Sequence, residues 1–175
     1  TIGHMLRELG YYTVYKGKWH LSEFPSEDSR DSMEPYGFSE YQEWGDAQGR
    51  PLDGFLKDPL IAGEAAEWLT TRAPEVATTQ PWFLAVNFVN PHDVMFFDSD
   101  GAETVQANSM FPIFDAPDAP LYQQKWQTAL PGSFLDDLDG QPPAVRSYAE
   151  LCDVYYGPIP MDRRDMWHNH VNYYL

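Results

Sequence analysis

The feature that most narrows the possible folds is the run Trp82-Phe83-Leu84-Ala85-Val86-Asn87-Phe88-Val89, preceded by Pro81 and interrupted in its apolar character only by Asn87. A run of this kind, without polar alternation, predicts a strand buried on both faces of a parallel sheet. Near the N-terminus, Ile2, Met5, Leu6 and Leu9 fall at i, i+3, i+4 and i+7, one face of a helix that Gly10 stops. Tyr11 to Lys16, aromatic and β-branched, then reads as a second strand entered directly from that helix. Helix feeding strand is the grammar of an α/β protein, and the expected architecture is a largely parallel central sheet flanked by helices.

The remaining elements follow from punctuation. Residues from Gly17 to Lys57 are dense in Gly, Pro, Ser and acids and read as loop with short elements around the apolar knot Tyr36-Gly37-Phe38. Asp58 offers an N-cap and Pro59 a first helical position, with Ile61, Ala65, Trp68, Leu69 and Arg72 as the face of the helix that follows. Asn90 to Gln141 is long, proline-containing and aperiodic. Pro142 and Pro143 open a helix whose face is Val145, Tyr148, Leu151, Cys152 and Tyr155, closed by Gly157-Pro158. A last helical pattern runs from about Arg163 to Leu175. The chain starts at an element boundary without an initiator Met and stops without a helix-stop signal, so further sequence is expected on both sides.

Charge excludes some partners. With 27 Asp+Glu against 11 Lys+Arg, a formal net charge of −16 repels nucleic-acid phosphates and anionic membrane surfaces. An anionic small substrate would be repelled at long range too, so a site for one needs local positive charge. The lone Cys152 leaves no disulfide framework and no cysteine-based zinc site. No stretch approaches the roughly 18 consecutive apolar residues of a membrane helix.

Both expected strands run at once into clusters bearing cationic groups, Gly17-Lys18-Trp19-His20 after the first and Asn90-Pro91-His92-Asp93 after the second. If the strands are parallel neighbours, their carboxyl ends share one edge, where open α/β sheets place ligand sites. Gly17 allows close backbone approach, and an extended path sends Lys18 and His20 to one side while Trp19 points into packing. A lysine charge with two imidazoles suits a tetrahedral oxyanion, and hence transfer or hydrolysis at sulfur or phosphorus. Against this stands the ordinary fate of a loop Lys or His, which is solvation.

The order of these segments resembles the sulfatase family of the alkaline-phosphatase superfamily. Met5-Leu6-Arg7-Glu8-Leu9-Gly10-Tyr11-Tyr12-Thr13 followed by Gly17-Lys18-Trp19-His20-Leu21 resembles its second signature. Tyr36-Gly37-Phe38 resembles its glycine-phenylalanine landmark, and Pro81 to Val86 through Asn90-Pro91-His92 its next core strand and active-site histidine. The resemblance implies an alkaline-phosphatase-like fold, here incomplete, and one partial catalytic domain over 1–175, with core motifs in 1–93, a variable loop in 94–141 and a helical segment in 142–175. It implies hydrolysis of a sulfate ester by a hydrated formylglycine beside a divalent cation, usually calcium. By the same resemblance Lys18 contacts nucleophile and sulfate, His20 positions the diol and helps expel sulfate, and His92 binds sulfate or assists the leaving group. The implied substrate is a sulfated carbohydrate or aryl sulfate, and the implied location periplasmic or extracellular.

The family's modification motif is Cys or Ser, any residue, Pro, Ser or Ala, then Arg; Cys152 is followed by Asp153, Val154, Tyr155 and Tyr156 and lies downstream of the second signature. Cys152 therefore reads as a helix-face core cysteine, the formylglycine is expected upstream, and no metal ligand is assigned within the chain. The cation's ligands are expected outside it, and the fragment alone is expected to be inactive. Asp98-Ser99-Asp100-Gly101 with Glu103 has the wrong ligand count and spacing for an EF-hand. His168 and His170 stand about 200° apart on a helix and diverge, and Asp136 to Gly140 reads as a charged turn. Two other readings remain at this point. One is a phosphonate or phosphate ester hydrolase of the same superfamily, and the other a noncatalytic acidic carbohydrate-binding module, whose sugar binding would survive Lys18→Ala or His92→Ala.

Overall fold

The computed structural model describes residues 1–22, 32–41, 53–97, 118–156 and 159–174. They form two compact units, Thr1–Asn90 and Pro91–Leu175. In the first, helix α1 (Ile2–Glu8) opens on Thr1, whose hydroxyl accepts the His4 amide. Gly10, at φ +85°, breaks it and turns the chain into β1 (Tyr12–Gly17). Strand β2 (Trp82–Asn87) pairs with β1 in parallel, from Tyr12 opposite Trp82 to Gly17 opposite Asn87. The α/β class and parallel pairing read from the sequence are both present.

Burial departs from the expectation. The doubly covered strand is β1, whose Thr13, Val14, Tyr15 and Lys16 are all buried, whereas β2 is only half-buried. The reason lies in neighbours: β1 has β2 on one edge and a parallel bridge from Val14 to Ser39 on the other, while among the described residues β2 pairs with β1 alone. The pleat sends successive residues to opposite faces, which separates two cores. Val14 joins Trp68, Ala73 and Val76, with Tyr12 and Leu84 packed at their margin. Tyr15 joins Trp19, Met33, Phe38 and Tyr41, with Tyr36, Phe83 and Ala85 against them.

Helix α2 (Gly54–Val76) covers the first of these cores. It begins four residues before Asp58, with Asp53 at the cap position, so Pro59 lies inside it rather than at its first position. Asp58 is not the N-cap because its carboxylate is engaged elsewhere, accepting the backbone N–H groups of Val89 and Asn90. Ile61, Ala65 and Trp68 face inward as the periodicity predicts, but Leu69 is exposed and Arg72 reaches out to Glu40 and Glu75. Helix α1 also forms where expected, yet Ile2, Met5 and Leu9 are exposed; its inward residue is Gly3, pressed against the Gly37 backbone.

Polar groups tie the unit together. Glu40, at φ +55°, accepts hydrogen bonds from Tyr12 Oη, Trp68 Nε1 and Arg72, while its backbone oxygen accepts from buried Lys16 Nζ at 2.6 Å. Arg7 joins α1 to the segment after it through Thr13, Glu34 and Ser39. Gly37, at φ +80°, ends the single turn Glu34–Tyr36 and delivers Phe38 to the core.

In the second unit a 3-10 turn spans His92–Phe96, followed by the short helix α3 (Pro120–Gln123), a turn at Gly132–Leu135, helix α4 (Pro143–Tyr156) and helix α5 (Arg164–Tyr174). Aromatic packing holds α5: Phe97 meets His170 and Tyr173, and Phe134 meets Trp167. Helix α4 starts at Pro143 as read, but Val145, Tyr148 and Leu151 are exposed and Cys152 is half-buried, so Cys152 is not a core cysteine. An amphipathic pattern specifies which side of a helix favours cover; what covers it is a tertiary matter. The Asp136 to Gly140 turn is present, with Leu138 at φ +60° and the Asp139 amide donating to Asp137.

Candidate active site

The Lys18 segment is built by β1. Gly17, at φ +93°, lies so close to Asn87 that a Cβ there would stand 2.0 Å from the Asn87 carbonyl oxygen, so no other residue fits. One residue later the Lys18 amide donates to the same carbonyl at 2.8 Å, extending the parallel pairing past the end of the strand. Two phenols fix the turn from the core side: Tyr15 donates to the Lys18 carbonyl and Tyr41 to that of Gly17 at 3.2 Å. Burial pushes the Tyr15 phenol up to about 12, so it stays a neutral donor. Trp19 is buried edge-on to Tyr15 and tilted on Tyr36, with its indole N–H donating to Ser22. Around it Lys18 is half-buried and His20 exposed, the alternation expected of an extended path.

The second segment leaves β2 under the control of α2. Asp58 Oδ1 accepts the Val89 amide at 2.6 Å and Oδ2 the Asn90 amide at 3.1 Å, and the Asn90 side chain lies against Gly54. Two residues on, His92 opens the 3-10 turn; its Nδ1 is 3.1 Å from Oδ1 of Asp93, and its ring tilts against Phe96. Lys18 and His20 belong to the first unit and His92 to the second. Sequence reasoning placed Asp58 at a helix cap and missed this role, because its partners lie more than thirty residues away. It also passed over Asp93, whose adjacency to His92 was the available signal.

Cation-binding clusters give a plain result: among the described residues no three His, Cys, Asp or Glu side chains group to hold a metal ion. His168 and His170 are on α5, where His170 stacks against Phe97 and Trp167. The acidic segment Asp98 to Glu103 lies outside the described residues. Cys152, half-buried on α4 and followed by Asp153 and Val154, does not fit the nucleophile position. Neither the cation nor the formylglycine is accommodated by residues seen here. No helix among the described residues is long and apolar enough to cross a membrane.

Parallel strands flanked by helices, with a Gly-Lys-Trp-His turn at the carboxyl end of one and an Asn-Pro-His turn after the other, define an α/β protein. The family model Sulfatase matches residues 1–151, and the chain belongs to the sulfatase family, which has an alkaline-phosphatase-like fold; the match supports a sulfatase-type hydrolase. No curated protein and no solved structure matches the chain.

Proposed function

We propose that this chain forms part of the catalytic domain of a sulfuric ester hydrolase and supplies Lys18, His20 and His92 to its site. The observation that supports the reading is the parallel pairing of β1 with β2, which carries on to the Lys18 amide bonding Asn87, so that the Lys18 turn and the carboxyl end of β2 share one sheet edge. The formylglycine nucleophile and a divalent cation, calcium in this reading, are assigned to sequence outside these residues. So is any further part of the domain.

The chain's own contribution is electrostatic and proton-handling. Lys18, on a turn held by two tyrosines, supplies a fixed positive charge to the sulfate oxygens, offsetting the repulsion a net charge of −16 imposes on an anion. His20 positions the nucleophile and assists release of sulfate. His92 binds sulfate or protonates the departing alkoxide, where negative charge accumulates and a preorganised donor acts most strongly. The substrate class is an aryl sulfate or sulfated carbohydrate, and the compartment periplasmic or extracellular.

The test is steady-state hydrolysis of 4-nitrophenyl sulfate and 4-nitrophenyl phosphate by the complete enzyme. Lys18→Ala and His92→Ala should each lower kcat on the sulfate ester by about 10²–10³, the effect of removing one oxyanion donor. Full activity in both variants refutes the assignment. A kcat/KM greater for the phosphate ester replaces it with phosphate-ester hydrolysis.

A further inference from the structure

We infer that Asp93 is a positioning residue for His92, holding the imidazole with Nδ1–H toward the carboxylate and leaving Nε2 as the atom that works on substrate. The inference rests on the reading of His92 as a site histidine and deepens it.

Asp93 is 1% exposed and is the only carboxylate among the described residues in the buried class. Such a group is costly to bury unless hydrogen bonds satisfy it, and the His92 ring is one of its partners. One of its oxygens lies 3.1 Å from His92 Nδ1. A carboxylate only accepts, so the pairing requires the proton on Nδ1 and leaves Nε2 with a free lone pair or, in the imidazolium, a proton to give. The His92 side chain is 26% exposed, so the ring is neither lost in the core nor free in solvent.

The ring cannot swing easily. Phe96 lies against it with centroids 5.9 Å apart, and both belong to the same five-residue 3-10 turn. That turn is braced by Phe97, which packs on His170 and Tyr173 of α5. A buried acid on one ring nitrogen, an aromatic against the ring and a turn anchored to a helix together fix tautomer and orientation, the two properties a proton-transferring histidine needs. A structural acid would equally cap the turn, and the two roles separate by measurement.

The first measurement is the ring-nitrogen chemical shifts of His92 in the wild-type chain by long-range ¹H–¹⁵N correlation. We expect the Nδ1–H form, and a return toward the Nε2–H form in Asp93→Ala. The second is 4-nitrophenyl sulfate hydrolysis by the complete enzyme. Asp93→Ala should lower kcat about 10–100-fold with KM little changed. Asp93→Asn, of the same size, should keep the fold and recover only part of the rate. Because Asp93 acts through His92, His92→Ala/Asp93→Ala should be no slower than His92→Ala alone. An Nε2–H ring in the wild type, or losses that multiply in the double variant, overturns the inference. Fully active Asp93→Ala beside inactive His92→Ala removes only the role of Asp93, whereas fully active His92→Ala removes the site reading beneath it.

Discussion

Asp58 should be the residue outside the motifs whose loss most disturbs the segment entering the Asn-Pro-His turn. Its two carboxylate oxygens accept the Val89 and Asn90 amides at 2.6 and 3.1 Å, and Val89 is buried. In Asp58→Ala both donors lose their partner, and each unsatisfied buried donor costs about 1–3 kcal/mol. Asn90 is half-buried and water can replace part of its loss, so the expected destabilisation is about 2–4 kcal/mol. At a urea dependence of about 2 kcal/mol per molar, the midpoint falls by about 1–2 M. Asp58→Asn retains one acceptor and opposes the second amide with its own NH₂, so it should fall between wild type and Asp58→Ala. Urea unfolding gives the sum, and amide hydrogen exchange at Val89 and Asn90 gives its location: both amides should lose protection relative to neighbours in β2. Unchanged exchange at these two amides, or equal stability of all three proteins, would show that the carboxylate does not hold the loop.

Two further outcomes follow from the backbone and from charge. Gly37→Ala places a Cβ 2.5 Å from the His4 amide nitrogen at a residue with φ +80°, and thermal unfolding should show a loss of at least about 2 kcal/mol from the left-handed conformation and the clash together. Glu40 is the pH-sensitive joint of the first unit. Burial raises its carboxyl, but hydrogen bonds from Tyr12 and Arg72, the Arg72 charge and the Trp68 indole outweigh it and hold the group below 4.5. A depressed carboxyl contributes stability above its unfolded value and loses it as pH falls through the folded one. The gap between wild type and Glu40→Gln, about 1–3 kcal/mol at pH 7, should therefore persist down to about pH 4.5 and close below it in urea titrations across that range. A gap that is flat with pH contradicts the network.

Much of the framework was readable along the chain. Ile2 to Glu8, Tyr12 to Gly17, Trp82 to Asn87 and Pro143 to Tyr156 formed close to where periodicity and punctuation predicted, with the second strand ending at Asn87 rather than Val89, because those signals arise from neighbours within about a turn of helix or a few residues of strand. Lys18, His20 and His92 were read as candidates from the same kind of signal, since each sits soon after an apolar run, and all three lie within the residues the family model spans.

Partners were what the pattern could not supply. Apolar character marked β2 as the fully covered strand, yet cover depends on what lies at each edge, and β1 gained Ser39 where β2, among the described residues, has β1 alone. Asp58 carried the local mark of a helix cap and instead caps a loop thirty residues on; Lys16, read only as the end of a strand, is buried on the Glu40 carbonyl. Local order is encoded in spacing, so it survives in a string of letters. Edge pairing, the buried face of α1 and the acceptor chosen by a given carboxylate are set by distances across the fold, which exist only once the chain has closed on itself.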